Sequence, residues 1–229
     1  MSIAENLQRV KEEIAASCHQ AGVDADTVTL IAVSKTVGAD KIREAYDAGQ
    51  RDFGENRVQE FLEKSAELPA DIRWNLIGHL QTNKVKFIIG PEIFLLQSLD
   101  RLELAKDLEK YCARRNVRLR VLVQVNLSRE ETKSGVLKED LAEFMGEVAA
   151  CEHLDLKGLM TIGPHTDDEK AIRTVFAEAK VLFDRLACQI PGFEYLSMGM
   201  SDDFGLAILE GSNMVRIGTS IFGARNYSA

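Results

Sequence analysis

Apolar and polar positions along the chain alternate between two periods. Short runs rich in β-branched and other apolar residues are each closed by a polar or glycine-bearing turn and followed by a segment of helical spacing. Eight such runs stand out, at Leu30 to Ser34, Asp52 to Gly54, Trp74 to Ile77, Ile93 to Gln97, Leu119 to Asn126, Leu156 to Thr161, Tyr195 to Met198 and Val215 to Gly218. Strand-like runs alternating with helical segments predict parallel strands joined by crossover helices. A further helix precedes the first run. Ser2 is its candidate cap with Glu5 three residues later, Ile3, Leu7, Val10 and Ile14 share one face, and Gly22 marks its end. Between the fourth and fifth runs, Arg101 to Arg115 reads as a helix behind a cap at Asp100, with Leu104, Leu108 and Tyr111 at helical spacing.

A doubly wound sheet would alternate in the same way, but eight strands with no sign of a reversal in strand order favour closure. The expected fold is therefore α/β, a single (β/α)8 TIM barrel with an extra N-terminal helix, forming one domain over residues 1–229. Length and composition agree: 229 residues of which 45% are hydrophobic can fill one large core. No low-complexity segment or shift in composition suggests a boundary.

Charge narrows the partners. A formal net charge of −8 argues against a surface built to neutralise nucleic-acid phosphates or anionic lipid. The basic cluster Arg114, Arg115, Arg118 and Arg120 is short and has no interleaved aromatics for base stacking. No run approaches a membrane span, and the first residues carry acids where a signal peptide needs an apolar stretch. These features predict a cytoplasmic protein that binds neither nucleic acid nor membrane. Cys18, Cys112, Cys151 and Cys188 are far apart and read as reduced thiols, and the four histidines lack metal-site spacing, so no metal is expected.

In such a barrel, chemistry gathers where strands end. The first run ends in Lys35, and alternation places Ile31, Val33 and Lys35 on one face, so that the lysine points into the barrel mouth. Desolvation there favours the free amine, which can attack an aldehyde. The plainer alternative is a lysine that snorkels to water or pairs with an acid at the strand end. Ser197-Met198-Gly199-Met200-Ser201-Asp202-Asp203 offers a strand end, a glycine turn and a cap at Ser201, with free amides that suit an anion provided both aspartates turn outward. An ordinary capped helix fits the same residues. In Val215-Arg216-Ile217-Gly218-Thr219-Ser220, Gly218 permits close backbone approach and Thr219 brings a hydroxyl and an amide to the same anion, in the loops after strands seven and eight that often bind phosphate in barrels. Arg216 lies on the face of Gly218 and points inward, towards a ligand or a barrel carboxylate.

These segments carry a resemblance. Val33-Ser34-Lys35-Thr36, Phe53-Gly54-Glu55-Asn56 with Gln59-Glu60, Ile77 to Lys84, Lys133-Ser134-Gly135, Gly158-Leu159-Met160, Ser197 to Asp202, and Val215 to Thr219 through Phe222-Gly223-Ala224-Arg225 closely resemble, in order, the pyridoxal phosphate homeostasis protein family. The resemblance covers nearly the whole chain. It implies a barrel like the N-terminal domain of alanine racemase that holds pyridoxal 5′-phosphate (PLP) as an internal aldimine on Lys35. It further implies a phosphate at Ser201, Gly218 and Thr219, Arg216 facing the pyridine nitrogen, and Asn56 and His79 lining the pocket. Met160 and Met200 are candidate wall residues, though each also suits the core. The sequence departs from the family at Gly38, where proline is common, and at Asn75, where histidine is frequent.

The implied role is cofactor homeostasis, with PLP and other B6 vitamers as ligands, apo PLP enzymes as recipients, and a monomer as the expected state. The competing reading is a PLP-dependent racemase of the alanine racemase type. Against it, a cation at the ring nitrogen disfavours the protonated ring that stabilises a carbanion. The chain also ends soon after the eighth strand, at Gly223-Ala224-Arg225-Asn226-Tyr227, which leaves no sequence for the second domain that racemases add. A non-catalytic binder is the expectation, with room for weak residual activity. A phosphate-sugar aldolase or isomerase would use the same lysine and phosphate site without a bound chromophore.

Overall fold

A computed structural model of the chain describes residues 1–90, 93–130 and 132–223. Eight parallel strands close into a barrel in sequence order, from β1 (Thr29–Val33), β2 (Asp52–Glu55), β3 (Arg73–Leu76) and β4 (Ile93–Leu99) to β5 (Leu119–Gln124), β6 (Leu154–Met160), β7 (Tyr195–Ser197) and β8 (Met214–Ile217). The crossover helices are α2 (Ala39–Asp47), α3 (Val58–Glu67), α4 (Val85–Ile88), α5 (Leu102–Arg115), α6 (Leu141–Ala149), α7 (Glu169–Ala187) and α8 (Phe204–Leu209), with α1 (Ile3–Ala21) before the first strand and α9 (Thr219–Phe222) after the last. Closure rests on the β1–β8 ladder, where Ile31 pairs with Arg216 and Ala32 with Ile217. No described helix is long and apolar enough to cross a membrane.

Two apolar clusters follow from strand alternation. Ala32, Phe53, Leu96, Val121 and Val215 point outwards and are covered by the helices. Ile31, Leu95, Leu122, Met160 and Met214 point inwards and plug the barrel. Beside and beyond this plug the filling includes polar side chains, with Asn75, Gln97, Ser197 and Arg216 all buried. The interior thus becomes more polar towards the strand C-termini.

The extra helix α1 bears on the site. Its expected capping box is present: the Ser2 hydroxyl accepts from the Glu5 amide at 3.1 Å and the Ser2 amide donates to Glu5 Oε2 at 2.7 Å. Its buried face, Ile3, Leu7, Val10, Ile14 and Cys18, lies against α8 and α9. Asn6 Nδ2 donates to the Ile221 carbonyl at 3.0 Å and Arg9 to the Ser220 carbonyl at 3.3 Å, so α1 pins α9 in place behind Thr219.

The cap expected at Asp100 does not form. The carboxylate of Asp100 bonds His79 and Arg101, and α5 starts behind Arg101 with no side-chain cap.

Candidate functional site

A cavity of about 350 Å³ opens where β1 and β8 end. Lys35, Ser201, Arg216, Gly218 and Thr219 line it together. Asn56, one residue past β2, and His79 do not; the His79 ring is half-exposed with Nδ1 2.9 Å from Asp100 Oδ2. Of the two methionines, Met200 lines the cavity and is exposed, whereas Met160 belongs to the barrel plug.

Lys35 does not extend the strand. β1 ends at Val33, and the Val37 amide donates to the Ser34 carbonyl at 2.9 Å, closing a turn with Lys35 and Thr36 at its centre. Thr36 has φ +62°, a left-handed conformation that a β-branched residue rarely adopts.

On the β7 side, Gly199 has φ +94°, and a Cβ there would stand 2.6 Å from Ala207 Cβ and 2.9 Å from Phe204 Cα. Only glycine lets this turn fold back onto α8. Ser201 does not cap that helix: α8 starts behind Asp203, whose Oδ1 accepts from the Met200 amide at 2.6 Å. The turn instead presents Ser201 to the cavity. Neither aspartate leaves the site as the anion-binding reading needs: Asp202 is exposed but lines the cavity, and Asp203 turns inwards. Burial pushes its carboxyl above the usual range, against the Met200 amide and the charge of Arg216. At Gly218, a Cβ would press on the Val33 carbonyl at 3.1 Å, so the close approach that glycine permits here is to β1.

Arg216 is buried inside the barrel. Its Nη1 donates to Ser197 Oγ at 2.6 Å and its Nη2 to the Thr161 carbonyl at 2.9 Å. Ser197 Oγ donates onward to Gln97 Oε1 at 2.7 Å, and Gln97 Nε2 donates to Asn75 Oδ1 at 3.0 Å. Asn75, one of the departures from the family pattern, therefore ends a polar chain that orients the arginine. No ion pair between Arg216 and a carboxylate forms among the described residues. Burial pushes its guanidinium down to about 10, so it is charged at neutral pH.

The lining also includes Asp40, Lys41, Ile77 and Phe222, which sequence reasoning missed. Asp40 and Lys41 stand in the first turn of α2, and no motif marks them. The cations Lys35, Lys41 and Arg216 outnumber Asp40 and Asp202 on the wall, which suits an anionic ligand. Ala224 and Arg225 lie outside the described residues.

The lining fits the chemical groups of PLP: an amine for an aldehyde, the hydroxyls of Ser201 and Thr219 for a phosphate, and a buried guanidinium for a ring nitrogen. Comparison with known proteins agrees. A family model described as alanine racemase, N-terminal domain, matches residues 2–226. A pyridoxal phosphate homeostasis protein of Aquifex aeolicus is 42% identical over 229 residues, covering 99% of this chain and 100% of the relative. The structure of PipY from Synechococcus elongatus with PLP bound superposes with a TM-score of 0.83 at 35% identity, over 97% of this chain and 100% of that one. An alanine racemase from Corynebacterium glutamicum shares the fold alone, with a TM-score of 0.75 at 17% identity over 99% of this chain and 62% of that one. Matched along its length by the family model and by relatives of equal size, the chain belongs to the alanine racemase N-terminal domain family, and within it to the pyridoxal phosphate homeostasis proteins.

Proposed function

We propose that this chain binds PLP covalently through Lys35 and serves intracellular PLP homeostasis without turning over amino acids. The observation that carries the reading is the meeting of Lys35, Arg216, Ser201, Gly218 and Thr219 on one cavity at the strand C-termini. When bound, PLP supplies an aldehyde that condenses reversibly with an amine. Ser201, Gly218 and Thr219 hold the phosphate, Lys35 supplies the amine, and Arg216 donates towards the ring nitrogen. Asn56 and His79, outside the lining, serve at its rim.

The curated relatives carry the name of a homeostasis protein rather than of an enzyme, which supports a carrier. A buried cation at the ring nitrogen opposes ring protonation, but racemases tolerate such a cation, so Arg216 does not by itself separate a carrier from a racemase. The carrier works as a single domain and a monomer in the cytoplasm, takes other B6 vitamers, and passes its cofactor to apo-enzymes through the open mouth.

Borohydride trapping after incubation with PLP tests the covalent claim. A pyridoxyl adduct mapping to Lys35 in the wild type, with complete loss of yellow colour and adduct in Lys35→Ala, is the expected result. An adduct elsewhere, or none, overturns it. Transfer fails as a claim if an apo-enzyme gains activity from the loaded carrier no faster than PLP dissociates into buffer.

A further inference from the structure

One buried cation near the site takes no part in the lining. Lys64 sits on the inner face of α3, three residues after the fully buried Phe61. Its Nζ donates to the Ser34 carbonyl at 2.9 Å, to Glu55 Oε1 at 2.8 Å and to Glu60 Oε2 at 3.0 Å, which accounts for all three ammonium hydrogens. Glu55 also accepts from Ser34 Oγ at 2.6 Å, and Glu60 Oε2 accepts from the Thr36 amide at 2.7 Å. The carbonyl before Lys35 and the amide after it are therefore each bonded to one side chain of α3. These two bonds bracket the turn whose second central residue, Thr36, holds a conformation that glycine would adopt without strain.

We infer that Glu60 and Lys64, which do not line the cavity, are positioning residues: by holding the Ser34 carbonyl and the Thr36 amide they keep the strained turn in the conformation that aims Lys35 into the cavity. The inference rests on the reading of Lys35 as the covalent attachment point. A structure that merely needed a filled core would not place an acceptor against an exposed amide of a strained residue. The cluster gives α3 a second task besides packing on the barrel.

The test measures the rate at which folded protein forms the borohydride-trappable Lys35 adduct at fixed PLP, with native circular dichroism confirmed for every variant. Glu60→Ala removes the acceptor of the Thr36 amide and should slow adduct formation about tenfold, the worth of one charge-assisted hydrogen bond. Thr36→Gly in the Glu60→Ala background should restore most of the rate, because glycine needs no clamp to hold a positive φ. Glu63→Ala, an exposed position on the same helix, should match the wild type. A Glu60→Ala protein that stays folded and reacts at the wild-type rate overturns the inference, as does a slowed Glu60→Ala that Thr36→Gly fails to rescue. A wild type that forms no Lys35 adduct overturns the reading of the site itself, and the inference with it.

Discussion

Two buried cations serve the same cavity and are compensated in opposite ways. Lys64 is gripped by two carboxylates and a carbonyl, and its charge is spent on holding the chain in shape. Arg216 rests on a hydroxyl and a carbonyl, both neutral. Asp203 favours its charge only from a distance. A buried cation without a carboxylate partner carries an unpaid desolvation cost, which an anionic or electron-rich ligand can relieve. The contrast teaches where to look for binding: at the cation the fold leaves uncompensated, not at the one it neutralises.

The sharpest way to break this comparison is to delete each charge. Lys64→Met removes the cation that both Glu55 and Glu60 bond, and breaking a buried pair from one side costs on the order of 3–5 kcal/mol. Urea unfolding of the cofactor-free protein should show that loss. Arg216→Met strands only a neutral hydroxyl and a carbonyl, so the cofactor-free protein should lose less, on the order of 1–2 kcal/mol, while PLP affinity falls about 10–100-fold, as expected for loss of a charged hydrogen bond. Equal destabilisation by the two variants would refute the difference drawn between them.

Much of this was legible in the sequence, because strands and turns leave local signals. All eight runs became strands, and the box at Ser2 and Glu5 formed as its spacing requires. Boundaries failed where side chains from other elements intervene. β1 stops before Ser34 because that residue's carbonyl is claimed by Val37 and Lys64. β5 stops at Gln124 because Asn126 turns its side chain to the carbonyls of Glu130 and Lys133. The caps expected at Asp100 and Ser201 were lost to a neighbouring histidine and arginine and to Asp203. Of the candidate residues, Lys35, Ser201, Arg216, Gly218 and Thr219, which strand ends and glycine turns pointed to, line one cavity. The Lys64 cluster left one local sign, a lysine on the apolar stripe of a helix with glutamate four residues earlier. Its partners Ser34, just past β1, and Glu55, on β2, come from elsewhere in the chain, so spacing alone could not reveal its purpose.

Smaller effects sharpen the account of Arg216. Ser197→Ala removes one of its two acceptors and should cost about 1 kcal/mol of stability, the net worth of a typical hydrogen bond, with a smaller loss of PLP affinity than Arg216→Met. Asn75→Ala, at the far end of the same chain, should change affinity less again, since it acts through Gln97 and Ser197.

The weakest expected effect appears only in alkali. Burial holds the guanidinium of Arg216 near 10 in the folded chain, below its ordinary value, with the charge of Asp203 opposing the shift. At neutral pH both folded and unfolded chains keep this proton, so the group adds no pH dependence. As pH rises through about 10 the folded chain releases the proton while the unfolded chain keeps it, so stability from this group grows with pH in that window. The stability of wild type minus that of Arg216→Met should therefore be flat through the neutral range and climb as pH passes about 10. Subtraction cancels the lysines and tyrosines that both proteins share. A difference that stays flat through pH 10 would mean that the arginine is hydrated in solution, and the contrast with Lys64 would lose its electrostatic basis.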